Sequence, residues 1–189
     1  MRTFVVLCFA FCTLGLPGPL RAGESAALPA AEWLAYRLPL GSSEQTVAGL
    51  FGRSTPQRNR NGELVIMAFT EPPAGVAWPV HDHSHDGHAD ADSCDSTPPW
   101  SFQFRDGGLV SAILTLPETQ AAGAVLPGRQ PLTIRPAGEP IPFAVWRLDG
   151  GRVLVALGFE EPGDRVRQLL MVDEKLLKVL YPRLAAALR

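Results

Sequence analysis

The chain has 189 residues and a formal net charge of −2, with 46% hydrophobic and 19% charged residues. This length allows one ordinary domain or two very small ones, and the composition is typical of a folded globular chain. Glycine and proline contribute 18 residues each, which predicts short elements and many turns and excludes a long helical bundle. Because the chain has no basic excess and only two lysines, a nucleic-acid partner is not expected.

Residues 1–22 have the pattern of a secretory signal peptide. Arg2 precedes an apolar run from Phe4 to Leu16, and a short segment ends at the small residue Ala22. This run is shorter than the roughly 20 apolar residues that cross a bilayer, and no later stretch is apolar enough to do so. We therefore expect cleavage after Ala22 and a periplasmic or secreted mature chain without a membrane span.

Hydrophobic patterning and turn residues divide the rest of the chain into short elements. In chain order they are a helix at 30–38, a helix after a capping box at 42–45, strands at 63–70, 100–105 and 109–116, a short strand at 132–135, strands at 143–148, 153–159 and 165–172, and a helix capped by Asp173. This order predicts an α+β fold, with an antiparallel sheet of about six strands and helices near both ends packed on it.

We expect residues 23–189 to form one α+β domain, with possible halves at 23–117 and 131–189. Two Asp-Gly-Gly sequences, at 106–108 and 149–151, predict hairpin turns and suggest a similarity between those halves. The alternating aromatic residues at 100–104 are expected in the core. The terminal helix should carry a stripe of leucines and be kinked at Pro182.

All four histidines of the chain fall within eight residues, in an acidic segment without a basic residue. Imidazole and carboxylate groups bind zinc, nickel, copper or cobalt, and a thiolate favours the softer ions. Prolines flank the segment, so we place it on a long exposed loop at 79–99. The predicted metal ligands are His81, Asp82, His83, His85, Asp86, His88, Asp90, Asp92 and Cys94.

The same distribution argues against an enzyme. Outside the loop the chain has no imidazole that could act as a general base. It also contains no Gly-x-Ser-x-Gly elbow, phosphate-binding loop or dinucleotide fingerprint. Cys94 is the only cysteine after the signal peptide, which excludes an intrachain disulfide in the mature chain. We expect no catalytic activity.

Two resemblances support an envelope location. Residues 38–116, through the segment Leu40–Gly52 and the later run Asp106–Val110, resemble the SmpA/OmlA (BamE) family. This resemblance implies a fold and a place in the cell envelope. The sequence departs from that family because it lacks a lipidated cysteine and carries a long inserted loop between strands. The histidine-rich segment is similar to the acidic histidine-rich loops of periplasmic zinc-transport proteins, which implies metal capture or buffering.

The sequence therefore predicts an exported protein that binds a divalent transition metal in order to buffer, deliver or sense it. Zinc is the metal expected before nickel, copper or cobalt. Its partners would be the metal ion and a metal transporter or another envelope protein. The alternative is a protein–protein interaction module of the cell envelope, in which a sheet face binds the partner and the loop is accessory. A large exposed apolar patch on the sheet would favour that alternative.

Overall fold

The computed structural model describes residues 27–52, 54–78, 98–139, 142–157 and 165–188. The helices are α1 (Ala30–Arg37), α2 (Glu44–Leu50), α3 (Ala122–Val125), α4 (Glu174–Leu180) and α5 (Pro182–Ala187). The strands are β1 (Leu28–Pro29), β2 (Thr55–Arg58), β3 (Leu64–Phe69), β4 (Val76–Ala77), β5 (Trp100–Arg105), β6 (Gly108–Ala121), β7 (Leu132–Ile134), β8 (Phe143–Leu148), β9 (Arg152–Leu157) and β10 (Arg165–Asp173). None of the helices in these ranges is long and apolar enough to cross a membrane.

Eight strands form one antiparallel sheet in the order β2-β3-β5-β6-β10-β9-β8-β7, and β1 pairs separately with β4. The α+β class with an antiparallel sheet is confirmed, but the sheet has eight strands instead of about six. β2 was not predicted, because its residues are polar and include Pro56. Proline cannot donate to a β-ladder and is tolerated at a sheet edge, where β2 lies.

The sheet consists of two four-stranded meanders, β2-β3-β5-β6 and β7-β8-β9-β10, joined through their last strands. The two Asp-Gly-Gly turns do not occupy matching places in these meanders, since one connects β5 to β6 and the other β8 to β9. Both turns have the positive φ that glycine permits: Gly107 has φ 75° and Gly150 has φ 76°. Each turn is therefore explained by the geometry of its own hairpin.

β6 extends to Ala121 and does not end at Leu116 as predicted. Gln168 of β10 lies opposite Thr115, but Val166 lies opposite Gln120, so β6 carries extra residues there. Pro117 lies in this irregular part of the strand, where its missing N–H breaks no regular ladder. The proline that predicted the end of the strand therefore marks a bulge.

The two faces of the sheet support different helices. One face forms a large core with α1, α2 and α3, and the other packs against α4 and α5. Along β9, Leu154 and Ala156 point into the first core, whereas Val153 and Val155 point into the second. Arg152 ties the layers together because its guanidinium donates to the Ala35 carbonyl at the end of α1, at 3.0 Å.

An aromatic cluster fills the first core beneath α1 and α2. The Phe51 ring centroid lies 4.4 Å from that of Phe69 and 5.0 Å from that of Phe102. Trp33 of α1 meets Trp100 edge-on at 5.7 Å, a geometry that the aromatic quadrupole favours. The predicted burial of the alternating aromatic residues of β5 is confirmed.

The helix termini confirm one predicted cap and correct another. Asp173 accepts a hydrogen bond from the Leu176 N–H at 2.7 Å, as expected of an N-cap. At α2, however, Ser43 is the cap, and its hydroxyl accepts from the Thr46 N–H at 3.2 Å. Ser42, the predicted cap, donates to the Pro39 carbonyl instead.

The expected terminal helix is two helices, α4 and α5, with Pro182 as the first residue of α5. Proline is favoured at this position because it has no N–H to leave unpaired. The predicted leucine stripe is only partly buried: Leu177, Leu184 and Leu188 face the second core, whereas Leu180 is exposed.

The joint between the meanders should dominate the stability of the fold. Leu169 of β10 is fully buried opposite Leu114 of β6, so Leu169→Ala should lower the free energy of unfolding by about 2–5 kcal/mol. Leu132→Ala on the edge strand β7, where the side chain is 48% exposed, is the matched control and should cost less than about 0.5 kcal/mol. Urea denaturation measures both; equal losses would contradict this assignment.

Candidate functional site

All nine predicted metal ligands, from His81 to Cys94, lie outside the described residues, within 79–97. The structure therefore places the two ends of this segment on the body, at Trp78 and Pro98, and the ligand set itself stays a prediction. We refer to residues 81–95 as the His/Asp tract.

The body holds both flanks of the His/Asp tract at one corner. Trp78, on the preceding side, packs on Trp100 with ring centroids 5.6 Å apart. On the following side, the Pro99 carbonyl accepts a hydrogen bond from the Thr115 N–H at 2.7 Å. Pairing of β4 with β1, supported by the bond from the Leu28 N–H to the Gly75 carbonyl at 2.9 Å, holds the chain ahead of Trp78. The two described flanks of the tract, at Trp78 and Pro99, thus lie close to the aromatic core.

Two body carboxylates, Glu71 and Asp106, are the natural candidates for additional ligands. Glu71 follows β3 at the end where Phe69 pairs with Trp100, which is the corner that holds the tract. Asp106 lies at the opposite end of β5, about 17 Å further along at the usual rise per residue of a strand. Glu71 is therefore the better placed of the two.

The described body carries no metal site of its own. Its ranges include neither a histidine nor a cysteine, and they hold no cluster of three or more potential ligand side chains. Some of its acidic residues form exposed ion pairs, such as Arg58–Glu44 at 2.6 Å and Arg183–Glu139 at 3.7 Å. The described residues therefore contain no ligand cluster that would compete with the predicted ligands of the His/Asp tract.

A polar cavity of about 400 Å³ opens beside the β5–β6 turn, and it holds no nucleophile–base pair. Its carboxylate Glu63 accepts a 2.6 Å hydrogen bond from the Asn59 amide, whose oxygen in turn accepts from the Glu63 N–H at 2.9 Å. Gln103, another lining residue, accepts from the buried Ser111 hydroxyl at 2.9 Å. The first pair of bonds closes the β2–β3 turn, and the second links β6 to β5.

The exposed large hydrophobic residues of the described sheet lie apart from one another. They are Val65 on β3 and Leu132 on β7, near opposite edges. Three consecutive exposed hydrophobic residues, Val179, Leu180 and Tyr181, instead lie where α4 meets α5. The sequence did not predict this group, because the spacing of the leucines indicated a buried stripe that included Leu180.

Comparison with known proteins adds no relative: no family model, curated protein or solved structure matches the chain. The resemblance of residues 38–116 to the SmpA/OmlA family therefore remains a prediction.

The closeness of the two flanks of the His/Asp tract predicts that the tract can be replaced without unfolding the body. Because its flanks meet at Trp78 and Trp100, replacing residues 81–95 by a linker of about six Gly/Ser residues should change loop-closure entropy by less than about 1 kcal/mol. The melting temperature of the metal-free protein should then stay within about 3 °C of the parent, as calorimetry would measure.

A Gly/Ser replacement of the same length as the tract is the matched control for loop length. If both replacements fail to fold, the His/Asp tract contributes to the core and the two parts are not separable.

Proposed function

We propose that this is an exported divalent transition-metal-binding protein, which uses its His/Asp tract to bind zinc and to buffer, deliver or sense it. The observation that carries the proposal is the concentration of all four histidines, five aspartates and Cys94 within residues 81–95. The signal-peptide pattern of residues 1–22 supports export to the periplasm or beyond.

The chemistry of the tract favours borderline and soft cations. Neutral imidazoles and one thiolate suit zinc, copper, nickel and cobalt, whereas carboxylates alone would suit magnesium or calcium. Zinc needs four ligands in tetrahedral geometry, and the tract supplies more than four. His81 with His85, or His85 with His88, could share one ion if the backbone turns around it.

The division between tract and body supports a carrier or buffer over a structural metal site. The body has a full hydrophobic core on both faces of its sheet. A structural metal is needed where a core is too small, as in zinc fingers. The five carboxylates of the tract also raise the local concentration of cations. A metal transporter or another envelope protein would receive the ion.

The alternative is an interaction module of the cell envelope, in which the tract is accessory. The exposed large hydrophobic residues of the described sheet, Val65 and Leu132, lie near opposite edges, which gives this alternative little support. The metal-binding function therefore has the stronger support.

Zinc affinity should fall steeply in acid. A histidine must lose its proton to bind metal, and its ordinary pKa is near 6.5, so each imidazole ligand should lower affinity about tenfold between pH 7.5 and pH 5.5. With two imidazole ligands the dissociation constant rises roughly 100-fold, which titration calorimetry with zinc would measure. Equal affinity at both pH values would show that imidazoles are not the ligands.

Replacing the four histidines should separate the two functions. The variant His81→Ser/His83→Ser/His85→Ser/His88→Ser should lose tight zinc binding, because a hydroxyl is a poor substitute for imidazole. The body variant Asp149→Asn, in the exposed turn between β8 and β9, is the control, and it should keep the parent dissociation constant within about threefold, since this carboxylate is not among the predicted ligands.

The same variants can be used in pull-downs from envelope extracts. Recovery of one partner by the parent and by the histidine variant alike, with no effect of zinc, would favour the interaction module over the metal-binding function.

A further inference from the structure

The junction of α4 and α5 exposes the largest apolar group of the described surface, which we call the α4–α5 corner (Val179–Tyr181). Val179 is 73% exposed, Leu180 44% and Tyr181 37%. The remaining exposed large hydrophobic residues are scattered over α1, α2, β3 and β7, and they are Tyr36, Leu50, Val65 and Leu132. Single exposed apolar side chains need no explanation, but three in succession do.

The corner is continuous with an apolar groove of about 220 Å³. Leu180 and Tyr181 line this groove together with Phe143 of β8 and Pro136. Pro182 starts α5 directly after Tyr181, so the three corner residues lie at the junction of two short helices. Because these side chains are already exposed, they can contact another surface without any rearrangement of the body.

Two lysines lie beside the corner. They are the only lysines of the chain, Lys175 and Lys178, both exposed on α4, and the spacing of i, i+3 and i+4 puts them on one helix face with Val179. Residues 174–188 have a formal charge of +2, although the whole chain has −2, and Glu139, outside this range, pairs with Arg183 at 3.7 Å. Lys175 lies in the first turn, where the helix dipole disfavours a cation, so helix stability does not explain its position.

We propose that the α4–α5 corner binds the surface of a membrane that contains anionic lipids. The three corner side chains would enter the interface between head groups and acyl chains, and the two lysines would lie beside the lipid phosphates. An exposed apolar group flanked by Lys is the combination that holds peripheral helices at anionic interfaces. Tyr181 suits this depth because its ring is apolar and its hydroxyl remains hydrated.

The size of the corner favours lipid over a folded protein partner. A stable protein interface buries about 800 Å² on each side, which three side chains and a groove of this volume do not supply. Shallow insertion into an interface needs much less area, because electrostatic attraction adds to apolar burial. This proposal is independent of metal binding, since the tract is held at Trp78 and Trp100 in the core on the other face of the sheet.

Binding to vesicles with hydrogen exchange as the readout tests the proposal. The purified protein is mixed in a chelating buffer with phosphatidylglycerol vesicles or with phosphatidylcholine vesicles. We expect slower exchange in peptides covering 174–188 with the anionic vesicles only, and a loss of this protection at 0.5 M salt because screening weakens surface attraction. Peptides of β7 should exchange unchanged.

Two pairs of substitutions separate the electrostatic and apolar contributions. Lys175→Gln/Lys178→Gln should weaken binding to anionic vesicles about 30-fold, from roughly fivefold per lysine. Val179→Ser/Leu180→Ser should weaken it at least about tenfold, because two aliphatic side chains no longer enter the interface. The matched controls, Arg60→Gln/Arg105→Gln for exposed cations and Leu132→Ser for an exposed leucine, should bind as the parent does.

Parent-like binding by both pairs, or equal protection of 174–188 by the two kinds of vesicle, would overturn the proposal. A concentration-dependent dimer in sedimentation, lost in Val179→Ser/Leu180→Ser, would identify a second copy of the chain as the occupant and would also overturn it. The variant without the four histidines should bind anionic vesicles like the parent, so failure of the metal-binding function and failure of this proposal give different results.

Discussion

β6 and β10 lie side by side at the centre of the sheet, and their antiparallel pairing joins the two four-stranded meanders. Each meander alone would be a four-stranded sheet whose last strand, β6 or β10, had no partner. Its hydrophobic residues would also lack those that the other meander contributes to each core. Once paired, both faces around the joint are buried: Leu169 and Met171 point into the first core, and Leu170 and Val172 into the second. Hydrophobic burial on two faces of one strand pair therefore makes a single cooperative unit of the described body.

This joint also decides where each helix can pack. α1 covers the first face and is tied to the second meander through the guanidinium of Arg152, which bonds to the Ala35 carbonyl. α4 follows β10 directly, capped by Asp173, and is thereby placed on the opposite face. The aromatic cluster around Trp100 and the α4–α5 corner consequently occupy opposite sides of the sheet. A membrane bound at the corner would leave the flanks of the His/Asp tract facing away from it.

The predicted separability of the tract from the body has a thermodynamic consequence. A metal stabilises a fold only as far as it binds the folded state better than the unfolded one. Ligands that are all close together in sequence can meet around an ion in either state, whereas the body is already held by its own core. Under the proposed function, metal release then costs the body little, which suits a protein that must give its metal away.

Local chemistry was enough to predict many elements of this protein. The alternation of Trp100, Phe102 and Phe104 predicted a strand with one buried face, and the glycines of the Asp-Gly-Gly turns predicted positive φ, because both depend on residues close in sequence. The His/Asp tract was likewise recognised from its composition alone, and its metal ligands remain a prediction from the sequence.

Other features depend on partners distant in the chain. β2 is a strand only because β3 lies beside it, and β6 passes Pro117 only because β10 accommodates a bulge. Leucine spacing on the terminal helices predicted a buried stripe through Leu180, but burial depends on how far the second core extends, and it ends before that side chain. Sequence thus determined the periodicity and turns, whereas strand order, the bulge and the exposed corner were decided by long-range packing.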